Sequence, residues 1–325
     1  MTKRPLTLVT GGAGYVGSLV VDELLSHGAR VRVLDTLLHG SVPSLLGAWG
    51  RPGFEFMRGD VRDPETRRAA LAGVDAVVHL AAIVGDPACA RDPDLARSVN
   101  LDATRALLGD CEELGVRRVV FASTCSNYGK MPGDVVATED FDLRPVSLYA
   151  ETKVAAELDV LARGRNGLET CCLRFATVYG SSPRMRFDLT VNEFTRDLVL
   201  GEELVVYGEQ FWRPYVHVRD AARAVAAVLH APRDAVDGEV FNVGSSDENY
   251  RKLDIVELLQ ERLPDARVRY VHKDEDPRDY RVAFEKIDMT LGYRPRYTVG
   301  EGIDEVMALL RSGILDEPAA QVYRN

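Results

Sequence analysis

The stretch LTLVTGGAGYVGSLVVDELLSHG, residues 6–28, limits the fold of this chain more than any other. An apolar run of strand type leads directly into Gly11, Gly14 and Gly17, and then into a helix pattern over 15–27. Between a strand and a helix, the first glycine permits a tight turn. The second lets the backbone approach a pyrophosphate, and the third allows close helix–strand packing. The helix N-terminus then faces the phosphates. A second signal follows in RVRVLDT, where Asp35 ends the next strand-like run 18 residues after Gly17. A carboxylate there accepts hydrogen bonds from a ribose diol and repels a 2′-phosphate, and no arginine directly follows it. Together these features predict a dinucleotide site selective for NAD over NADP.

Short apolar runs recur at LTLVT, RVRVLD, FEFMRGD, DAVVHLAA, RRVVFAST and ETCCLRFATVYG. They are nearly continuous in hydrophobicity, as strands covered on both faces are. Helical patterns lie between them, notably over 15–27, 94–114 and 148–163. This alternation predicts an α/β fold with a doubly wound parallel sheet of Rossmann type. After about residue 180 the regularity weakens, with SSPRMRFDLT and GEQFWRPYVHV mixing polar, basic and aromatic residues. Helix patterns at 219–230, 252–263 and 300–312 and a strand EVFNVG follow. A smaller C-terminal substrate-binding lobe is therefore expected. The dinucleotide-binding domain would take 1–178 plus about 215–245, and the lobe about 179–214 plus 246–325.

A net charge of −10 argues against nucleic acid or an anionic membrane as partner. The five cysteines form no CxxC pair and no zinc-spaced cluster with histidine, so reduced thiols and no bound metal are expected. A strand-like run begins within six residues of Met1 with no apolar leader before it, and no 18-residue apolar run occurs. These features predict a soluble, cytoplasmic protein.

The segment SLYAETKVAAELDVLARG, residues 147–164, has helical spacing. Ser147 is placed to cap it, Gly164 to end it, and Val154, Leu158 and Leu161 form an apolar stripe. Tyr149 and Lys153, four apart, project from one face. Alone, this is an ordinary surface pair.

TGGAGYVG, GDVRD, HLAA, Asn100, STCSNYG and YAETK, in this order and spacing, resemble the extended short-chain dehydrogenase/reductase family, in its nucleotide-sugar epimerase and dehydratase branch. The resemblance spans nearly the whole chain. It implies that Gly11, Gly14, Tyr15, Val16, Gly17, Asp35, Asp60, Val61, Leu80, Ala81, Ala82, Asn100, Tyr149, Lys153 and Ala176 bind or support NAD. It also implies a catalytic trio of Thr124, Tyr149 and Lys153. A free phenol titrates near 10 and is a poor base at neutral pH. A neighbouring ammonium and a nicotinamide cation would lower that value, letting Tyr149 take a hydroxyl proton while hydride leaves the same carbon. Thr124 would hydrogen-bond the reacting oxygen, and Lys153 would hold the nicotinamide ribose.

By the same resemblance, sugar 4,6-dehydratases carry an Asp–Glu pair directly after that threonine. Cys125 and Ser126 stand there in this chain, so the acid and base for eliminating water are missing. Cys125 is expected to be a small packing residue. A 4-epimerase needs no extra acid or base.

For the substrate, the resemblance points to Thr124, Ser126, Thr177, Arg184, Arg186, Asn192, Arg213 and Arg278, with Arg281 a weaker candidate. Arginine suits a diphosphate because its planar fork meets phosphate oxygens bidentately. Thr177 replaces the family's asparagine in RFATVYG, and DPRD replaces its usual RxGD. His217 is expected to be a packed strand histidine. The expected protein is thus an NAD-dependent nucleotide-sugar epimerase acting at C4 through a transient 4-keto intermediate. It would take a nucleoside-diphosphate sugar and form a homodimer through the helices at 94–114 and 148–163. A 4-ketoreductase, an oxidoreductive dehydratase or decarboxylase, and a non-catalytic NAD(P)-binding sensor are the alternatives.

Overall fold

A computed structural model describes residues 4–131, 135–164, 167–274 and 279–325. Seven strands form the central sheet: β1 (Leu6–Thr10), β2 (Arg30–Asp35), β3 (Phe54–Arg58), β4 (Ala76–His79), β5 (Arg118–Thr124), β6 (Glu169–Phe175) and β7 (Glu239–Val243). Their order is β7-β6-β5-β4-β1-β2-β3, and every pair is parallel. All six apolar runs read from the sequence of the first half take part in this sheet.

Chain direction across the sheet reverses at β1, which pairs with β2 on one side and β4 on the other: Val9 lies opposite both Val33 and Val78. A crevice opens outside the carboxyl ends of strands at such a switch point. One face of the sheet is covered by α1 (Tyr15–Ser26) and a helix at Val218–His230, burying Val20, Val21, Val225 and Val228. The other face is covered by the helices Pro64–Leu71, Ala103–Glu113 and Leu148–Gly164, over Leu8, Leu34, Val77 and Val119.

Three local features differ from the sequence reading. The pattern at 94–114 contains a π-helical turn, Ser98–Asp102, between Pro93–Arg97 and Ala103–Glu113. Such turns are frequent at functional sites, and this one carries the buried Asn100. In the helix Leu148–Gly164 the buried face is Ala150, Lys153, Ala156, Glu157 and Val160, while Leu158 is 58% exposed. Of the stripe Val154, Leu158 and Leu161, Leu161 packs against the core, but Leu158 points away from it. Polar groups with partners inside the protein displaced Leu158. The run 169–180 also breaks at Ala176: β6 ends at Phe175, and Thr177–Tyr179 joins a separate three-stranded sheet with Trp212–His217 and Asn249–Arg251.

That small sheet leads into a separate core of Tyr179, Phe194, Leu198, Tyr215, Ile255, Leu259 and Ile303. The elements around this core stand across the crevice from the glycine turn. Among the described residues, no helix is long and apolar enough to cross a membrane. All five cysteines are buried free thiols.

Candidate active site

The glycine turn leaves no room for side chains. A Cβ on Gly17 would lie 2.1 Å from the Gly11 carbonyl oxygen, and one on Gly11 would lie 2.8 Å from Ala81 N. A Cβ on Gly14 would crowd the same carbonyl at 3.1 Å. Gly11 also has φ +73, a conformation that L side chains rarely adopt. Beside this cradle, Asp35 accepts hydrogen bonds from Ala13 N at 3.0 Å and Leu37 N at 2.8 Å. Burial pushes its carboxyl above the ordinary value, opposed by those two bonds. Leu37 has φ 60, so the loop leaving β2 is strained next to the carboxylate. An open backbone cradle, a helix start and a carboxylate at the end of β2 fit the diphosphate and ribose of NAD.

The cradle is one end of a cleft of about 1280 Å³. Its walls include Gly11, Gly14, Tyr15, Val16, Gly17, Asp35, Asp60, Val61, Leu80, Ala81 and Ala82 from the first half of the sheet. Thr124, Ser126, Tyr149, Lys153, Ala176, Thr177, Arg184, Arg186 and Arg213 also line it. Asp60 is held by Arg62, its carboxylate 2.6 Å from Nη2.

At the centre, β5 delivers Thr124, whose Oγ1 accepts from Ser126 N at 3.1 Å. Ser126 Oγ lies 3.4 Å from the Tyr280 hydroxyl. Lys153 is 3% exposed, and its Nζ donates to the Ala122 carbonyl at 2.7 Å. Burial pulls its ammonium down to about 8. Tyr149 stands one turn earlier on the wall of the cleft. Burial pushes its phenol above the ordinary 10, opposed by Arg186. This is the opposite direction from the sequence expectation. Desolvation disfavours the phenolate, and within the protein it outweighs the positive charge nearby.

A buried polar web supports this centre from below. Glu157, one turn after Lys153, meets Arg174 at 2.6 Å and accepts from Ser123 Oγ at 2.5 Å. Arg174 reaches on to the Tyr128 hydroxyl at 2.9 Å, which donates to Asn242 Oδ1 at 2.7 Å. Cys125 belongs to this web. It is fully buried, its thiol donates to the Arg174 carbonyl at 3.1 Å, and it does not line the cleft. The packing reading of Cys125 therefore agrees with the structure.

Two sequence candidates stand behind the wall of the cleft. Asn192 is fully buried. Its amide meets Gly180 N at 3.0 Å, the Tyr15 hydroxyl at 3.1 Å and the Arg186 carbonyl at 2.9 Å. Its expected contact with substrate is corrected to one that joins α1 to the segment carrying Arg186. Asn100 closes a two-way bond with the backbone of Ile83, at 2.8 Å to N and 3.0 Å to O, fixing the loop after Ala82. Arg278 lies outside the described residues. Arg281 does not line the cleft and lies over the Trp212 ring at 5.1 Å. From the same stretch Tyr280 faces the cleft, with Arg213 over its ring at 5.5 Å. The sequence reading looked there for a cation and missed the phenol. His217 is 1% exposed and packed, as expected: it caps the helix Val218–His230 and bonds Glu305 at 2.8 Å.

Residues 7–244 match the NAD dependent epimerase/dehydratase family. A dTDP-glucose 4,6-dehydratase of Actinoplanes sp. is 33% identical over 94% of this chain and 97% of its own length. A UDP-glucose 4-epimerase of Mycolicibacterium smegmatis is 30% identical over 94% and 98%. The crystal structure of Thermus thermophilus UDP-glucose 4-epimerase in complex with NAD superposes with a TM-score of 0.81. It is 30% identical and covers 95% of this chain and all of that one. A turn that admits only glycine, a carboxylate at the end of β2 and a Thr–Tyr–Lys centre are the features expected of such proteins, and the chain belongs to the NAD dependent epimerase/dehydratase family.

Proposed function

We propose that this protein is a nucleotide-sugar epimerase that inverts C4 through a transient 4-keto sugar. The observation that carries the reading is at residues 124–126. Thr124 and Ser126 line the cleft, while Cys125 is sealed in the web below. Eliminating water from the sugar needs an acid and a base on neighbouring carbons, and neither position supplies a carboxyl group. Asp86 lines the cleft within electrostatic reach of Tyr149, but it comes from another segment and accepts a hydrogen bond from Ser147 Oγ at 2.7 Å. Inverting one carbinol carbon needs only one group that takes and returns one proton.

Tyr149 takes the proton of the C4 hydroxyl and gives it back, and Thr124 holds the same oxygen through its hydroxyl. Bound NAD supplies the hydride acceptor and donor. Lys153, anchored on Ala122, fixes the height of the Tyr149 helix against β5, and in this reading it supplies the cation for the developing oxyanion. Arg213, over the Tyr280 ring at 5.5 Å, offers a guanidinium to the diphosphate, and Arg186, its Nε–Nη2 edge held by Asp188 at 2.9 and 2.7 Å, offers its Nη1 edge. The dimer in this reading pairs the helices at 94–114 and 148–163 across a two-fold axis. A monomeric mass at micromolar concentration in sedimentation would contradict the dimer.

The direct test is incubation with UDP-, dTDP- and GDP-hexoses without added cofactor, followed by product NMR. The expected product is the C4 epimer. Turnover only with added NADPH would identify a ketoreductase, and a product short of one water a dehydratase. No conversion of any hexose would contradict the epimerase reading.

A further inference from the structure

Residues 321–325 bridge the two sides of the cleft mouth. On the sheet side, Val322 Cγ2 lies 3.8 Å from where a Cβ on Gly40 would stand, in the loop that leaves Asp35. On the other side, three successive anchors grip residues 184–188. Tyr323 O accepts from Phe187 N at 2.8 Å, and the two rings meet edge to face at 5.7 Å. Arg324 O accepts from Arg184 Nη2 at 3.1 Å. Asn325 N donates at 3.3 Å to the Asp188 carboxylate that holds Arg186. Phe187 is itself fully buried beside Met185, Val306 and Leu310, so the grip is on a rigid segment.

The result is the position of Arg184. It is 6% exposed, comes from a segment distant in sequence, and lines the cleft together with Asp35 and His39. Arg184 is within electrostatic reach of both, and burial pulls its guanidinium down to about 10. Arg324 lines the same end, and its buried Nε has no hydrogen-bond partner among the described residues. Buried guanidinium nitrogens without a partner mark a place where an acceptor is to be supplied. Asp35 assigns this end of the cleft to the adenosine ribose. A cation here joins the Leu37 and Ala13 N–H groups in opposing the effect of burial on Asp35, the carboxylate placed to accept from the ribose diol.

We infer that Arg184 belongs to the NAD site rather than to the sugar-nucleotide site, and that residues 321–325 are the strap that holds it there and sets how firmly NAD is retained. The inference rests on the chain's binding of NAD and is independent of what happens at C4. An enzyme that returns hydride to the same molecule gains from a cofactor that does not leave between half-reactions.

The test is equilibrium dialysis of NAD, and separately of UDP and dTDP, against wild type, Arg184→Gln, Tyr323→Ala and a variant ending at Ala320. Thermal melting confirms that each is folded. Tyr323→Ala keeps the chain length and removes only the ring contact, so it reports the strap even if the shortened chain does not fold. For Arg184→Gln, a rise in the NAD Kd of about tenfold or more is expected, the order for one lost charge-assisted contact. A smaller rise is expected for Tyr323→Ala, and UDP and dTDP affinities should stay within about twofold. Unchanged NAD affinity in Arg184→Gln would overturn the proposal. So would loss of UDP or dTDP affinity in its place, which would return Arg184 to the sugar nucleotide. Either result leaves the C4 reading standing.

Discussion

Lys153 Nζ and the Ala122 carbonyl, 2.7 Å apart, tie the helix that carries Tyr149 to the strand that ends in Thr124. One turn further along, Glu157 repeats the tie through Ser123 Oγ at 2.5 Å. Tyr149 and Thr124 therefore sit on one rigid unit, with buried polar bonds joining helix and strand.

This arrangement gives the first prediction. Tyr149→Phe removes the proton carrier but none of the bonds that position the helix. Turnover should fall by about 10²–10⁴-fold, the range for losing a general base, with NAD still bound after gel filtration. A wild-type rate would remove Tyr149 from the chemistry.

Glu157→Gln strikes the web instead. The side chains of Glu157 and Arg174 are 1% and 5% exposed, so the substitution leaves a buried guanidinium without its counter-charge. A loss of about 3–5 kcal/mol is expected from urea unfolding. A loss under about 1 kcal/mol would mean that Arg174 is satisfied by Tyr128 and the Glu139 carbonyl alone.

Cys125→Ser keeps the shape and a donor to the Arg174 carbonyl. The rate should stay within about twofold of wild type. A fall of two orders of magnitude would put the thiol into the reaction.

Acid should destabilise the fold through His79. The ring is buried between Thr10 Oγ1 at 2.7 Å and Thr104 Oγ1 at 3.0 Å, and burial, aided by Lys153, pulls its pKa from 6.5 to about 3. Below pH 6.5 the unfolded chain takes up a proton there that the folded chain refuses. Stability contributed by the neutral ring is full above 6.5 and is lost as pH falls towards about 3, at up to ~1.4 kcal/mol per unit. Unfolding free energies of wild type and His79→Gln between pH 7 and 4.5 check this. The variant's slope should be flatter, and equal slopes would contradict the assignment.

The parts of this molecule legible in the sequence are those where one residue type is forced by space or charge. Gly11, Gly14 and Gly17 could be read because their turn admits nothing larger, and Asp35 because it ends a strand at a fixed distance from them. The apolar runs gave the central strands because their hydrophobicity is continuous. Where polar groups are buried, pattern failed: Lys153 and Glu157 occupy a helix face that periodicity gave to Leu158. The basic stretches failed for a different reason. Arg184, Arg186 and Asn192 look alike as a polar loop. Their separate positions, at the Asp35 end of the cleft, beside Asp188 and behind the wall, come from contacts with residues 15, 180 and 324. Arg213, picked out by the family resemblance of its stretch, lines the cleft from the strand Trp212–His217. Tyr280 was missed because nothing local distinguishes a phenol that faces the cleft from one that packs.

The central claim is that C4 of a nucleotide sugar gives its hydride to NAD and its hydroxyl proton to Tyr149, and takes both back, the hydride on the other face, with Thr124 and Lys153 holding the reacting groups. The measurement that tests it most directly starts from UDP-glucose and dTDP-glucose carrying deuterium on C4, in ordinary water, with the product read by NMR. The account predicts the inverted sugar with the label still on C4. Label found on C6, or a product lacking water, would contradict it and make the reaction an elimination.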